Sequence, residues 1–159
     1  MPRLDTLSEV VRKVLLSFPC LEAPGAPWTP APAISRATVA LVTTAGLHLR
    51  GARPFVSEPK GGDSSFRVIP STARAEDILQ SHVSIGFDHT AFYRDMNVTF
   101  PLDRLHELAA RGAIGAVAPS AYSFMGAIRD SRRLVDETGP EVAQRLRDDG
   151  AQVVFLTPT

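Results

Sequence analysis

The residues best suited to proton chemistry crowd into one stretch of this chain: His82, Asp88, His89, Asp95 and Asn97. An imidazole oriented by a carboxylate is the usual arrangement for general acid–base work near neutral pH. If 81–88 is a strand, His82 and Asp88 share one face of it, because side chains alternate between faces. His82, Asp88 and His89 are therefore the candidate catalytic group. Two histidines and a carboxylate could also hold a non-haem metal. Their spacing matches no standard ligand motif, so no metal is expected. The same residues could equally tie a loop to a sheet. His106, beside Glu107, reads as solvated, and His48 could serve either purpose.

A second set consists of small hydroxyl residues at the expected ends of strands. Thr43, Thr44 and Gly46 form one group, Ser120, Tyr122 and Ser123 another, and Thr157 stands alone. Open parallel sheets bind ligands beyond the carboxyl ends of their strands. Short hydroxyl side chains leave room there and offer hydrogen bonds. Thr43, Thr44, Gly46, Asp95, Asn97, Tyr122, Ser123 and Thr157 are thus the candidate substrate-binding residues. Turns also favour Ser, Thr and Gly for their own geometry, so the convergence of three strand ends counts for more than any one residue. Neither a G-x-G-x-x-G nor a P-loop pattern occurs. The segment Tyr122-Ser123-Phe124-Met125-Gly126 lacks the first glycine of a nucleophile elbow. Cys20 lies among prolines and reads as a small hydrophobe rather than a nucleophile.

The elements that must position these residues can be read from periodicity. Residues 6–18 predict an amphipathic helix. Thr6 and Glu9 have capping-box spacing, and Leu7, Val10, Val11, Val14, Leu15 and Phe18 form one stripe. Pro19, Pro24, Pro27, Pro30 and Pro32 make 19–33 an extended connector, which Trp28 is expected to clamp by burial. The run Val39–Val42 predicts a strand covered on both faces. Residues 50–65 read as a loop, 66–69 as a brief strand and 75–79 as a short helix. In 81–88, Val83, Ile85 and Phe87 alternate toward a core. A helix opens at Pro101, with Leu102, Leu105, Leu108 and Ala109 inward, and stops at Gly112. Strands over 114–118 and 153–156 enclose a helix from Pro140 to Gly150. This alternation predicts an α/β fold with a mainly parallel sheet flanked by helices. Residues 1–37 would form an N-terminal helical arm and connector, and 38–159 a single α/β domain.

Composition limits the functional classes. The chain has 159 residues, 44% hydrophobic and 21% charged, and a domain of this size buries roughly 70% of its unfolded surface. The 17 basic and 17 acidic residues cancel, which argues against nucleic-acid or anionic-membrane partners. Near-zero net charge favours self-association, so a homo-oligomer is an expected state. One cysteine excludes an intramolecular disulfide. No stretch approaches the ~18 apolar residues of a membrane span, and the amino terminus lacks a signal-peptide run. A cytoplasmic location is expected.

Several stretches stand in order along the chain: Val39-Ala40-Leu41-Val42-Thr43-Thr44-Ala45-Gly46, Ser65-Phe66-Arg67-Val68-Ile69-Pro70, Ser81-His82-Val83-Ser84 with Phe87-Asp88, Arg94-Asp95-Met96-Asn97 with Phe100-Pro101-Leu102-Asp103-Arg104-Leu105, Ser123-Phe124-Met125-Gly126, and Leu156-Thr157-Pro158-Thr159. Together they resemble the selenoprotein B subunit family of glycine, sarcosine, betaine and D-proline reductases. The resemblance implies reductive cleavage of a C–N bond in a small amine or amino acid. It further implies a pyruvoyl-bearing partner subunit that holds the amine as a Schiff base. A selenocysteine or cysteine on this type of subunit would attack the α-carbon. In the family that residue follows the stretch matching Leu156-Thr157-Pro158-Thr159. The chain is therefore expected to stop before its redox residue, leaving no cofactor in this chain and an apolar sheet face exposed. A UGA codon read as a stop is one explanation, a natural length of 159 residues the other. The alternative is a non-catalytic remnant that binds a small molecule or a subunit. A metal-dependent hydrolase built on His82, Asp88 and His89 is a third reading.

Overall fold

The computed structural model describes residues 3–17, 25, 29–56, 62–82 and 89–158. Cys20, Trp28, Asp88 and the alternating run Val83–Phe87 lie outside the described residues. The chain divides into two compact units, Met1–Pro30 and Ala31–Thr159. In the first, the helix is shorter than its periodicity predicts. Helix α1 spans Glu9–Leu16, and Ser8 rather than Thr6 caps it, its hydroxyl accepting from the Val11 N–H. Thr6 instead closes a 3₁₀ turn by donating to the Arg3 carbonyl at 2.8 Å. Serine is as good a cap as threonine, and the one nearer the apolar stripe prevails. No residue of α1 is buried.

The second unit is built around strand β1, Thr38–Thr43. On one side β1 pairs in parallel with β7, Val153–Thr157, over all five residues of that strand. On the other it runs parallel to two short pieces, β5 (Ala116–Val117) and β6 (Ser120–Phe124). The expected strand at 114–118 is thus replaced by two. Val39 pairs with Val117 while Val42 pairs with Tyr122, so residues are inserted between the two pieces. Pro119, which has no N–H to give the ladder, lies in that break. Strand β3, Phe66–Pro70, closes the far side of β6 in antiparallel register. The sheet is mainly parallel, as its sequence pattern predicts.

Both faces of β1 are covered, which is why it is apolar without alternation. Val39 and Leu41 face one cluster with Phe100, Leu102, Leu105 and Ile114. Ala40 and Val42 face another with Tyr122, Phe124, Val142 and Leu146. Helix α3, Leu102–Ala110, supplies the first face, although Leu108, expected inward, is 37% exposed. Helix α4, Gly139–Asp148, supplies the second, entered through a π-helical turn at Leu134–Thr138. It connects β6 to β7 across β1.

A small second sheet forms beside the end of β1. Strand β2, Leu47–Leu49, pairs antiparallel with β4, Ile78–Gln80. The short helix expected at 75–79 is a 3₁₀ turn, Ala75–Asp77, running into β4. Ile78 is buried in the first core cluster, and this burial fixes the strand where local propensity is ambiguous. Helix α2, His89–Arg94, follows and buries Phe92.

Candidate functional site

The parallel register brings residues of the three predicted groups together, although Ser120, Tyr122 and Ser123 lie within β6 and not beyond the end of a strand over 114–118. Thr43 pairs with Ser123 on one side and with Thr157 on the other. Their hydroxyls are engaged in holding the backbone. Thr43, fully buried, has its Oγ1 3.1 Å from the Thr99 carbonyl, donating to it, and accepts from the Ala45 N–H at 3.2 Å. Thr157 Oγ1 donates to the same Thr99 carbonyl at 2.9 Å. Ser123, also fully buried, accepts from the Leu47 N–H at 2.8 Å. The next residues turn outward from this base. Thr44 is half-buried and lines an apolar groove of about 360 Å³ with Val42, Val142, Leu146 and Leu156.

Gly46 is required at its position by its backbone and by its neighbour. Its φ is +67°, and a Cβ there would lie 3.0 Å from the His82 backbone nitrogen. Only glycine meets both demands without strain. The Gly46 carbonyl accepts from the Ser81 N–H at 2.9 Å, so the chain at Ser81–His82 is laid directly against the end of β1. His82 is buried. Burial, and secondarily the charge of the nearby His89, lowers its pKa below the ordinary 6.5. His82 therefore favours the neutral imidazole at neutral pH. His89, at the start of α2, places Nδ1 2.8 Å from Gln80 Oε1, and Gln80 Nε2 donates to the Ala45 carbonyl at 3.1 Å. The predicted pair His82 and His89 is thus gathered beside Gly46. Asp88 lies outside the described residues.

Asp95 and Asn97 occupy a neighbouring cleft of about 430 Å³, lined also by Arg50, Tyr93, Arg94 and Asp103. Asp95 caps the 3₁₀ turn Met96–Val98 by accepting from the Asn97 N–H at 2.9 Å. That bond, with a second from the Asn97 side chain, lowers the Asp95 pKa. Asn97 Nδ2 also reaches Asp103 Oδ2 at 3.1 Å.

Tyr122 sits mid-strand in the second core cluster. Its hydroxyl donates to Asp149 Oδ2 at 3.0 Å, and burial together with that carboxylate raises its pKa to about 12. Ser120 begins β6 and pairs with Pro70, at the opposite end of the strand from Ser123. His48 is buried, with Nδ1 3.0 Å from the Leu49 carbonyl. His106, exposed as expected, has Nε2 2.8 Å from the Ser71 carbonyl. Among the described residues no three His, Cys, Asp or Glu side chains converge on a common point, and no helix is long and apolar enough to cross a membrane. Two contributors went unnoticed in the sequence, Gln80 and Thr99. Gln80 lies just past a segment that reads as helix. Thr99 acts through its carbonyl, which every residue possesses.

Comparison with known proteins places the chain among its relatives. Residues 24–159 match the family model for glycine/sarcosine/betaine reductase selenoprotein B. The chain is 41% identical over 131 residues to the D-proline reductase subunit gamma of Acetoanaerobium sticklandii, covering 82% of this chain and 52% of that protein. It is 27% identical over 126 residues to the betaine reductase complex component B subunit beta of Peptoclostridium acidaminophilum, covering 79% of this chain and 29% of that one. This chain therefore spans about half, or less, of the length of these relatives. No solved structure matches it. The chain belongs to the glycine/sarcosine/betaine reductase selenoprotein B family.

Proposed function

We propose that this chain is part of a reductase-complex subunit that cleaves a C–N bond of a small amine or amino acid. The observation that carries this reading is the family match across residues 24–159, joined by a subunit of D-proline reductase at 41% identity. Reductive cleavage consumes two electrons, and the departing amine needs a proton. The electron pair would come from a selenol or thiol, and the substrate would be held by a pyruvoyl-bearing partner subunit; both belong to the proposal. The fold is compatible with them. The carboxyl ends of β1 and β7 lie side by side at Thr43 and Thr157, at the end of the sheet where Gly46 and His82 meet, and a redox residue beyond that end belongs to the proposal.

The described residues of this chain contribute proton handling and shape. His82, neutral near pH 7 because burial disfavours its cation, and His89 are the groups that would exchange the proton with the substrate nitrogen. Thr44 and Gly46 are small and leave room at the strand ends. Asp95 and Asn97 would orient a polar substrate from the adjoining cleft.

The test is to express the gene with its native downstream sequence in a selenium-supplied host and to take an intact mass. The purified product is then assayed with its complex and a dithiol reductant on glycine, sarcosine, betaine and D-proline. A selenium- or cysteine-bearing product longer than 159 residues that cleaves the C–N bond of one of them, releasing an amine or, for D-proline, opening the ring, supports the reading. Binding without turnover would make the chain a non-catalytic binding subunit.

A further inference from the structure

Gln80 closes β4, its backbone paired with Leu47 of β2, and its side chain meets two partners with opposite requirements. The Ala45 carbonyl lies 3.1 Å from Gln80 Nε2. A carbonyl only accepts, so the amide nitrogen must face it; a flipped amide would set two oxygens against each other. The amide oxygen is then directed at His89, 2.8 Å from Nδ1. That oxygen also only accepts, so His89 Nδ1 must carry the hydrogen. In the neutral ring the lone pair then resides on Nε2. An imidazole left to water favours the opposite form, Nε2–H.

Ala45 is itself immobilised. It is fully buried, forms a bridge to Met125, and donates its N–H to Thr43 Oγ1 at 3.2 Å. A continuous series of bonds therefore runs from the end of β1 through Ala45 and Gln80 to the ring of His89. We infer that Gln80 is a positioning residue that holds His89 in the Nδ1–H tautomer and makes Nε2 the atom through which this imidazole accepts a proton. The use of that proton rests on the function proposed above; the tautomer does not.

The experiment is long-range ¹H–¹⁵N correlation NMR on the full chain labelled with ¹⁵N-histidine, above the titration range of imidazole. His89 is assigned by loss of its signals in His89→Gln. The expected spectrum shows a protonated-type Nδ1 and a lone-pair-type Nε2. Gln80→Leu removes the acceptor and shifts the ring toward Nε2–H, whereas Gln80→Glu, whose carboxylate still accepts, retains Nδ1–H. An Nε2–H ring in the unaltered protein, or a tautomer unchanged in Gln80→Leu, overturns the inference. If Gln80→Leu fails to fold, the spectra of the unaltered protein and of Gln80→Glu decide: both must show Nδ1–H. Because the readout is spectroscopic, its outcome is independent of whether the complex reduces an amine.

Discussion

At the carboxyl end of β1, Thr43 and Ser123 are wholly buried and their hydroxyls engage backbone groups. On the adjoining β7, by contrast, Val154, Phe155 and Leu156 are 39%, 45% and 64% exposed. The two strands are joined by a five-pair parallel ladder, so backbone pairing does not distinguish them. What differs is the third dimension. The end of β1 lies beneath Thr99 and the loop carrying His82. Strand β7 pairs with no described strand but β1, and Leu156 borders an open apolar groove. A strand flanked on both sides must satisfy every polar group locally, whereas an edge strand can leave its outer groups to water or to another chain.

This contrast can be broken most severely at Gly46. Gly46→Ala imposes a side chain at φ +67° and against the His82 backbone, with an expected loss of about 2–3 kcal/mol. Urea denaturation should show a lower midpoint with an unchanged slope. Next in size are the hydroxyls. Thr43→Val and Ser123→Ala leave the N–H groups of Ala45 and Leu47 without their acceptors, and each should cost about 1–3 kcal/mol. An effect below ~0.5 kcal/mol, the range of ordinary surface changes, would show that these hydroxyls do not hold the tip together.

A pH effect comes third. His82 has a lowered pKa in the folded state, with burial as the larger cause and His89 as the smaller. As pH falls below the ordinary 6.5, the unfolded chain takes up the proton before the folded one. Stability is then lost between 6.5 and the lowered folded value, and the slope disappears below it. His82→Gln should flatten this window in thermal melts; an unaltered slope would place its origin elsewhere. The smallest effect belongs to β7. Phe155→Lys, on an exposed edge strand, should change stability by no more than ~0.5 kcal/mol yet raise the monomer fraction in light scattering, since charge discourages edge-to-edge pairing.

The legible parts of this fold were those with a strong local signature. Val39–Val42 announced a doubly covered strand because both faces of β1 are packed. Pro101 and Pro140 marked the openings of α3 and α4, which the structure starts at Leu102 and Gly139. The weak points were short segments whose state is set by remote contacts. Ile78–Gln80 is a strand because β2 lies beside it, and Ser120–Phe124 is a strand because β1 and β3 enclose it. Among the candidate site residues, the pairing of Thr43 with Thr157 followed from strand ends, whereas Ser123 joins them from within β6, a strand whose place the sequence did not reveal. Their hydroxyls' role in bonding the backbone did not follow, because it depends on Thr99 and Leu47, far away along the chain.

The sequence by itself determined the α/β class, the positions of β1, α3, α4 and β7, the family, and the stretch in which the histidines lie. Those features rest on periodicity, proline placement and ordered motifs, all of which are local. Only the tertiary structure decided that Gly46 must accommodate His82, that Gln80 orients His89, and that β7 pairs with no described strand but β1. Each depends on which segments approach one another in space, and burial and hydrogen-bond complementarity settle that only once the sheet has assembled.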